Sequence, residues 1–447
     1  MNSLEELVTF AEQLIIARTE NSLSPIQKIV LRESICETKK NYTQIANENN
    51  YSETYIKHLV APKLWKLLSQ ALGKKVNRNN CRIKLESQLE TSTYQTDSGL
   101  LHISQITMES PEGQVPLASP FYIERSSLEP TCYQEILTPG AFLRIKAPRK
   151  MGKTSLLARI IAYGTTKNYH TLRLSLDQVE SKLLTSTERF LRWLCANVTQ
   201  QLELPSELDN YWDEDVGSLV NCTHYFQEYL LRNISSPLIL ALDEINQLFA
   251  YPSLTRDFLS LLRHWYEKTK DIALWQQLRL IVAHSTDVYI PLKTNQSPLN
   301  VGLAVELPPF TKQEVEKLAQ LHKLQLTASE LEQLMELTRG FPYLVRLALY
   351  QSVRRNLPLE QLLPDAATNT GILSQHLHQQ LWYLQKNSDL AEAFQQLIKS
   401  NSSLQLEQEI AFKLKSLGLV DLENNQVRVS CRLYRDYFST YFLNSKE

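Results

Sequence analysis

Lys153, set between Gly152 and Thr154, and the acid pair Asp243-Glu244 are the residues of this chain best placed to do chemistry. Lys153 sits in IKAPRKMGKTSLL (145–157), after a strand-like run and at the start of a helix-like one. That is the setting a phosphate-binding loop requires. Backbone N–H groups at a helix N-terminus lack intrahelical partners and carry the positive end of the helix dipole, so they favour a phosphate anion. The candidate loop comprises Ala147, Pro148, Arg149, Lys150, Met151, Gly152, Lys153, Thr154 and Ser155. Lys153 would reach the β- and γ-phosphates, and the Thr154 hydroxyl would ligate Mg²⁺. Asp243 and Glu244 end the apolar run 238–242. Asp243 is suited to support Mg²⁺ near Thr154, and Glu244 to polarise an attacking water as general base. An acid after a buried strand also commonly caps a helix; the order and spacing of the two motifs favour a nucleotide site.

Other positions are more ambiguous. A phosphate loop ordinarily begins with glycine, and here Ala147 holds that place, followed by Pro148. Alanine lacks glycine's access to positive φ, and proline biases its predecessor toward extended geometry. The loop can still form if Ala147 simply finishes the strand. The run LRLIVA (278–283) leads into His284-Ser285-Thr286. Ser285 or Thr286 can sense a γ-phosphate there or merely cap the next turn, and both readings stay open. Arg263, on a helix-period segment, reads as a solvated residue rather than an arginine finger.

These groups need a scaffold. From residue 141 onward short apolar runs at 142–146, 171–176, 237–242, 279–283 and 303–307 alternate with helix-period segments such as 155–163 and 185–202. That alternation predicts a parallel α/β sheet covered on both faces. Residues 311–385 read as helical. After them come two helices, a strand at 419–422, a turn at Glu423-Asn424-Asn425 and a strand at 427–430, which together suggest a winged helix.

Composition bounds the answer. At roughly 150 residues per domain, 447 residues suggest about three domains. Hydrophobic residues at 43% and charged residues at 21% are those of a globular chain. The net charge of -1 names no partner, so any nucleic-acid surface must be local. No apolar run is long enough to span a membrane, and the N-terminus lacks a secretion-signal pattern. Six scattered cysteines without a C-x-x-C pair argue against zinc or a disulfide scaffold. A cytoplasmic location is the expectation.

Seven stretches occur in order: SPFYIER (119–125), YQEIL (133–137), RIKAPRKMGKTSLLARI (144–160), LALDEINQLF (240–249), AHSTDVYIPL (283–292), NQSPLNVG (295–302) and GFPYLVRLALY (340–350). Together they resemble the AAA-like ATPase domain frequent in cyanobacteria, which belongs with the STAND and archaeal origin-recognition-like P-loop ATPases. The resemblance implies sheet order 5-1-4-3-2, ATP as ligand and switch-like cycling. It casts Phe121, Tyr122 and Ile123 as the adenine-side wall and brings Pro342, of Gly340-Phe341-Pro342, near the adenine from a helical lid. LPPFT (307–311) looks like the hinge into that lid. The C-terminal residues resemble the winged helix of the same proteins, where packing against the ATPase is favoured over DNA binding.

Toward the N-terminus, Tyr42-Thr43-Gln44-Ile45-Ala46 followed by Tyr51-Ser52 fits a helix-turn-helix, with Ser52 capping the second helix. The expected core is Ile26, Ile29, Val30, Tyr42, Ile45, Ala46, Tyr55, Ile56, Leu59 and Leu64. Between Thr38 and Leu85 stand ten Lys or Arg against two Glu, a local surplus that could meet phosphates. The exposed helix would offer Glu53, Thr54, Lys57 and His58, thin equipment for reading bases. The segment also resembles the N-terminal helix-turn-helix of vWA-MoxR-associated proteins, which implies docking of protein partners, with DNA as the other option. The expected organisation is a helix-turn-helix domain at 1–88, a linker at 89–118, a P-loop ATPase core at 119–309, a helical lid at 310–384 and a winged helix at 385–447. The expected function is a STAND-type ATP switch in bacterial signalling or conflict response, binding ATP and Mg²⁺, with an ATP-dependent homo-oligomer as an option. The alternatives are an ATP-controlled DNA-binding transcription regulator and a non-hydrolysing scaffold stabilised by nucleotide.

Overall fold

The computed structural model describes residues 7–8, 10–12, 14–15, 23–36, 40–49, 51–72, 74–86, 109–125, 127–285, 300–400 and 402–444. The chain divides into two compact units, Met1–Met108 and Glu109–Glu447.

Local signals start the helices of the first unit. In α1 (Pro25–Ile35) and α2 (Tyr42–Glu48), Ser24 and Asn41 form capping boxes with Gln27 and Gln44. Ser52 Oγ accepts the Tyr55 N–H at 3.2 Å, which opens a helical run through Glu53–Tyr55 and Ile56–Val60 into α3 (Ala61–Leu72). Ile26, Val30, Ile45, Ala46, Ile56 and Leu64 are buried, as expected. Tyr55 is not a core residue: it is 40% exposed and stacks on Tyr51 with ring centroids 5.7 Å apart. The core face is set by Ile56, Val60, Leu64 and Leu68, spaced four apart, and Tyr55 lies one helical step off it. Ile29 and Tyr42 are only half-buried, and the Leu59 side chain lies outside the described residues. Glu53, Thr54, Lys57 and His58 are exposed.

The second unit is built on a five-stranded parallel sheet of order β2-β3-β4-β1-β5, which is 5-1-4-3-2 read from the other edge. The strands are β1 (Phe142–Lys146), β2 (His170–Ser175), β3 (Leu238–Asp243), β4 (Leu278–His284) and β5 (Leu303–Glu306). Period-2 alternation splits their side chains between two cores. Ile145, Ile239, Ala241 and Ile281 face one side, with Leu156 and Ile160 of α5 (Lys153–Thr166; α4 is Leu128–Leu137). Leu174, Leu240, Leu242 and Val282 face the other, against Phe190 and Leu194 of α6 (Thr187–Gln201) and Phe258 and Trp265 of α7 (Pro252–Asp271).

Helices α8 (Lys312–Leu321), α9 (Ala328–Thr338), α10 (Pro342–Arg355) and α11 (Ser374–Gln385) follow the sheet. After them come α12 (Ser388–Ser400), α13 (Gln408–Ser416), the antiparallel pair β6 (Val420–Glu423) and β7 (Gln426–Val429), and α14 (Arg432–Asn444). Asn424 and Asn425 turn that hairpin at φ +48° and +63°, left-handed positions asparagine tolerates. Leu344, Leu397, Leu414 and Phe438 share one hydrophobic cluster with Ile145 and Ile281, so these helices are packed continuously with the sheet.

Gly340 is fixed by sterics. Its φ is +73°, and a Cβ there would lie 2.2 Å from the Phe310 carbonyl oxygen. The two segments are joined by a Phe310 N–H to Gly340 O bond of 2.7 Å. Gly340→Ala is expected to destabilise the second unit by roughly 2–4 kcal/mol. A thermal melt should show a midpoint lowered by several degrees, and an unshifted midpoint would contradict this crowding.

Candidate functional site

The carboxyl ends of β1, β2 and β3 open onto a cavity of about 570 Å³. Such crevices are where open α/β sheets ordinarily bind ligands. Residues 147–152 leave β1 and turn into α5 through Gly152, in the left-handed region at φ +97°. Ala147 needs no such freedom: it is absent from the positive-φ residues, continues from β1 and is 4% exposed. A methyl group fits where the usual loop has glycine. Lys150 takes φ +65°, a strained setting for a lysine of order 1 kcal/mol. Contacts from the C-terminal helices hold it there. Its ammonium lies 3.3 Å from His376 Nδ1, 3.2 Å from Gln379 Oε1 and 3.9 Å from the Tyr343 ring centroid. The Arg149 N–H donates to Ser416 O at 2.8 Å, at the end of α13.

Lys153 is 4% exposed, and its ammonium donates to the carbonyls of Ala147 and Pro148 at 3.0 and 3.2 Å. Burial lowers its pKa, and the nearby Glu244 and Asp243 oppose that. Glu244 lies 4.0 Å from the ammonium. Thr154 Oγ1 donates to Asp243 Oδ2 at 3.1 Å, so the β3 acid and the α5 hydroxyl meet as expected. Glu244 adopts φ +55°, a second strained non-glycine position. Its carboxylate accepts Asn246 Nδ2 at 3.2 Å.

Arg149, Lys150, Met151, Gly152, Lys153, Thr154, Ser155, Asp243, Glu244, Phe121, Tyr122, Ile123 and Pro342 all line the cavity. Ala147 and Pro148 turn to a smaller neighbouring cavity of about 340 Å³, and Ser285 lies there too. Ser285 therefore stands apart from the lysine and acid cluster. Its N–H donates to Asn246 Oδ1 at 3.0 Å, so its link to Glu244 runs through Asn246. Thr286 lies outside the described residues. Arg263 pairs with Glu267 at 2.7 Å on its own helix, as a solvated residue does.

Sequence reasoning missed several cavity residues. Arg173, between Leu172 and Leu174 of β2, donates to Asp243 Oδ2 at 2.8 Å. A charged residue inside an apolar strand was the available signal, but Arg144 and Arg279 interrupt β1 and β4 in the same way. Arg125 Nη2 donates to Met151 O at 2.9 Å, which ties the segment before α4 to the phosphate loop. Arg346 of α10 pairs with Glu109 at 3.1 Å. The expected linker also differs. Residues 89–108 lie outside the described residues, but within 109–118 residues 111–115 form part of the cavity wall. Val115 N–H donates to Ser155 Oγ at 2.9 Å, Gln114 accepts from Arg173 at 2.7 Å, and Glu112 accepts the Tyr343 hydroxyl proton. An extended strap has no apolar period, which is why its sequence reads as linker.

Cations outnumber acids around the cavity: Arg125, Arg149, Lys150, Lys153, Arg173 and Arg346 against Glu112, Asp177, Asp243 and Glu244. That balance suits a polyanion. The Thr154 hydroxyl and Asp243 carboxylate are oxygen donors of the kind Mg²⁺ takes. Among the described residues no group of three or more His, Cys, Asp or Glu forms a metal cage, so a cation here would take its other ligands from phosphate and water. No helix among the described residues is long and apolar enough to cross a membrane.

The sequence profile described as "AAA-like domain" matches residues 110–440. The chain belongs to the AAA-like domain family. Its residues 2–88 match the "vWA-MoxR associated protein N-terminal HTH". No curated protein matches the chain. Among solved structures, the AAA-like chain is similar to the Walker-type ATPase PABY2304 of Pyrococcus abyssi, at 14% identity and TM-score 0.48, over 73% of this chain and 98% of that one. It is also similar to the Aeropyrum pernix ORC2 protein, at 14% identity and TM-score 0.43, over 75% and 97%. A STAND protein with a tetratricopeptide repeat sensor, PH0952 from Pyrococcus horikoshii, is similar at 14% identity and TM-score 0.31, over 73% and 44%.

Burial also gives this AAA-like domain a pH dependence. His376 lies between Lys150 and the Tyr434 hydroxyl, with its Nε2 2.7 Å from that oxygen. Burial, and then Lys150, push its pKa down to about 3. The folded form keeps the imidazole neutral while an unfolded chain protonates near pH 6.5. Its stability contribution is therefore complete above pH 6.5 and is lost as pH falls toward 3. His322, pushed down to about 4 mainly by burial, acts in the same direction. Chemical denaturation at pH 7.5 and 5.0 should show a loss at the lower pH of about 2 kcal/mol per histidine at most. His376→Gln should shallow that slope.

Proposed function

We propose that this chain is a cytoplasmic ATP-driven switch of the STAND type. The carrying observation is the convergence of Lys153, Thr154, Asp243 and Glu244, from separate elements, on one cation-rich cavity. In this reading the loop amides from Arg149 to Thr154 and the Lys153 ammonium hold the β- and γ-phosphates. Thr154 and Asp243 hold the Mg²⁺ side, and Phe121, Tyr122, Ile123 and Pro342 face the adenine. The metal, when bound, neutralises phosphate charge. Glu244, kept in place by Asn246, takes the proton of the attacking water.

The switching part rests on contacts of the phosphate loop with the C-terminal helices. A nucleotide that reclaims the Arg149 N–H must compete with Ser416 O, and one that draws Lys150 must take it from Gln379 and His376. Nucleotide thereby has differential affinity for two arrangements of those helices, which is what a switch requires. We read α12 to α14 with their hairpin as a winged helix that packs on the ATPase core. The N-terminal helix-turn-helix would dock a protein partner in signalling or conflict response. Calorimetry of the purified chain with ATP and with GTP tests the reading: heat is expected with ATP, and no heat with either nucleotide overturns it.

A second reading, an ATP-controlled DNA-binding regulator, draws on the exposed Lys57, Lys63 and Lys66 of the basic stretch 38–85. Binding of the full chain to duplex DNA that weakens with salt, and weakens further in Lys57→Ala/Lys63→Ala, would favour it.

A further inference from the structure

Arg173 does something the proposed reading does not require. Asp243 is 1% exposed, and a buried carboxylate must be compensated. Here compensation is supplied within the chain. The Arg173 guanidinium approaches Oδ2 at 2.8 Å, the Thr154 hydroxyl donates to the same oxygen at 3.1 Å, and the Glu244 N–H donates to Oδ1 at 3.0 Å. Gln114 of the strap accepts from the other arm of the guanidinium at 2.7 Å, so Arg173 is held from both sides. In the sheet Ser175 is paired with Asp243, and Arg173 stands two residues earlier on the same face, at the cavity. The acid expected to serve a divalent cation thus already has a cationic partner on the neighbouring strand.

From this geometry we infer that Arg173 is a resident counter-charge at the metal side of the site, so that nucleotide binds this chain without a divalent cation. This rests on the nucleotide reading above and adds to it a property of the ligand: the free triphosphate, not only its metal complex, is bound. Two consequences follow from Coulomb's law. The guanidinium supplies positive charge where a triphosphate would otherwise depend on metal. It also offsets part of the attraction of Asp243 for a divalent cation, so metal adds little to affinity while Arg173 is present, even where Thr154 and Asp243 hold one. Arg173 is a positioning and specificity residue in this account. The proton acceptor in hydrolysis remains Glu244.

The test is calorimetric titration of the full chain with ATP, once in EDTA and once in excess MgCl₂. The same pair of titrations is run on Arg173→Met, Arg173→Lys and Gln114→Ala, with thermal melts for each. For the unaltered chain the two dissociation constants should agree within about 10-fold. Arg173→Met should weaken binding in EDTA by at least about 30-fold while leaving binding in MgCl₂ equal or tighter. Arg173→Lys keeps the charge and should stay near the unaltered ratio; Gln114→Ala should fall between. A metal dependence above about 10-fold in the unaltered chain overturns the inference, and that result needs no variant to fold. Equal weakening of Arg173→Met in both conditions overturns it too, since that is a structural loss. No binding in either condition removes the nucleotide reading itself, and the inference with it.

Discussion

Lys153→Ala is expected to lose at least about 100-fold in ATP affinity, because each charge-assisted hydrogen bond to phosphate contributes about 1.5–3 kcal/mol and the proposed reading gives the ammonium two, to the β- and γ-phosphates. The side chain donates to the Ala147 and Pro148 carbonyls at 3.0 and 3.2 Å, and a bound nucleotide would offer it phosphate oxygens in exchange. Its burial makes the contrast sharp. Lys153 is 4% exposed, and the other lysine of the loop, Lys150, is turned toward Gln379 and His376. The empty protein should tolerate the change. Removing a buried cation leaves no buried carboxylate stranded, because Glu244 keeps Asn246 and Asp243 keeps Arg173. Thermal melts of the variant should lie close to the unaltered chain, and calorimetry should show the lost heat. Unchanged affinity in Lys153→Ala would remove the phosphate assignment.

Glu244→Gln separates binding from turnover. Gln keeps the size of the side chain and its contact with Asn246 but cannot accept the proton of an attacking water. Loss of a general base ordinarily costs about 10²–10⁴-fold in rate. Phosphate release in single-turnover assays should fall by that range while ATP affinity changes by less than about threefold. Turnover that persists would place the base elsewhere. An unaltered chain that binds ATP but never releases phosphate would favour the nucleotide-stabilised scaffold. The strained backbone of Glu244, at φ +55°, accords with a residue whose direction matters more than its local comfort.

Much of the second unit is legible in the sequence, and the reason is local. Strands such as PLILAL and RLIVA are short, largely apolar and bounded by turns, and their alternation with helix-period segments is the pattern of a covered parallel sheet. Their ends shift by a residue: β3 runs Leu238–Asp243 and so carries Asp243 as its last member. Gly152-Lys153-Thr154 is equally local, because a left-handed glycine followed directly by a helix start gives the loop its signature. Two misplacements have the opposite origin. Tyr55 carries apolar bulk that favours burial, yet the phase of Ile56, Val60 and Leu64 decides which side of the helix is inside. Residues 109–118 look like a linker because an extended segment leaves no period, and contacts with Ser155, Arg159, Arg173, Tyr343 and Arg346 give them a place.

By itself, then, the sequence determined the sheet, the loop that faces it and the identity of the acids at the end of β3, since propensity and periodicity act over a few residues. Beyond Lys153, tertiary structure alone decided which cations surround those acids. Arg173 reaches Asp243 from 70 positions away, and Lys150 reaches His376 across 226. Such pairs are chosen by strand order and helix packing, and no pattern along the chain encodes them.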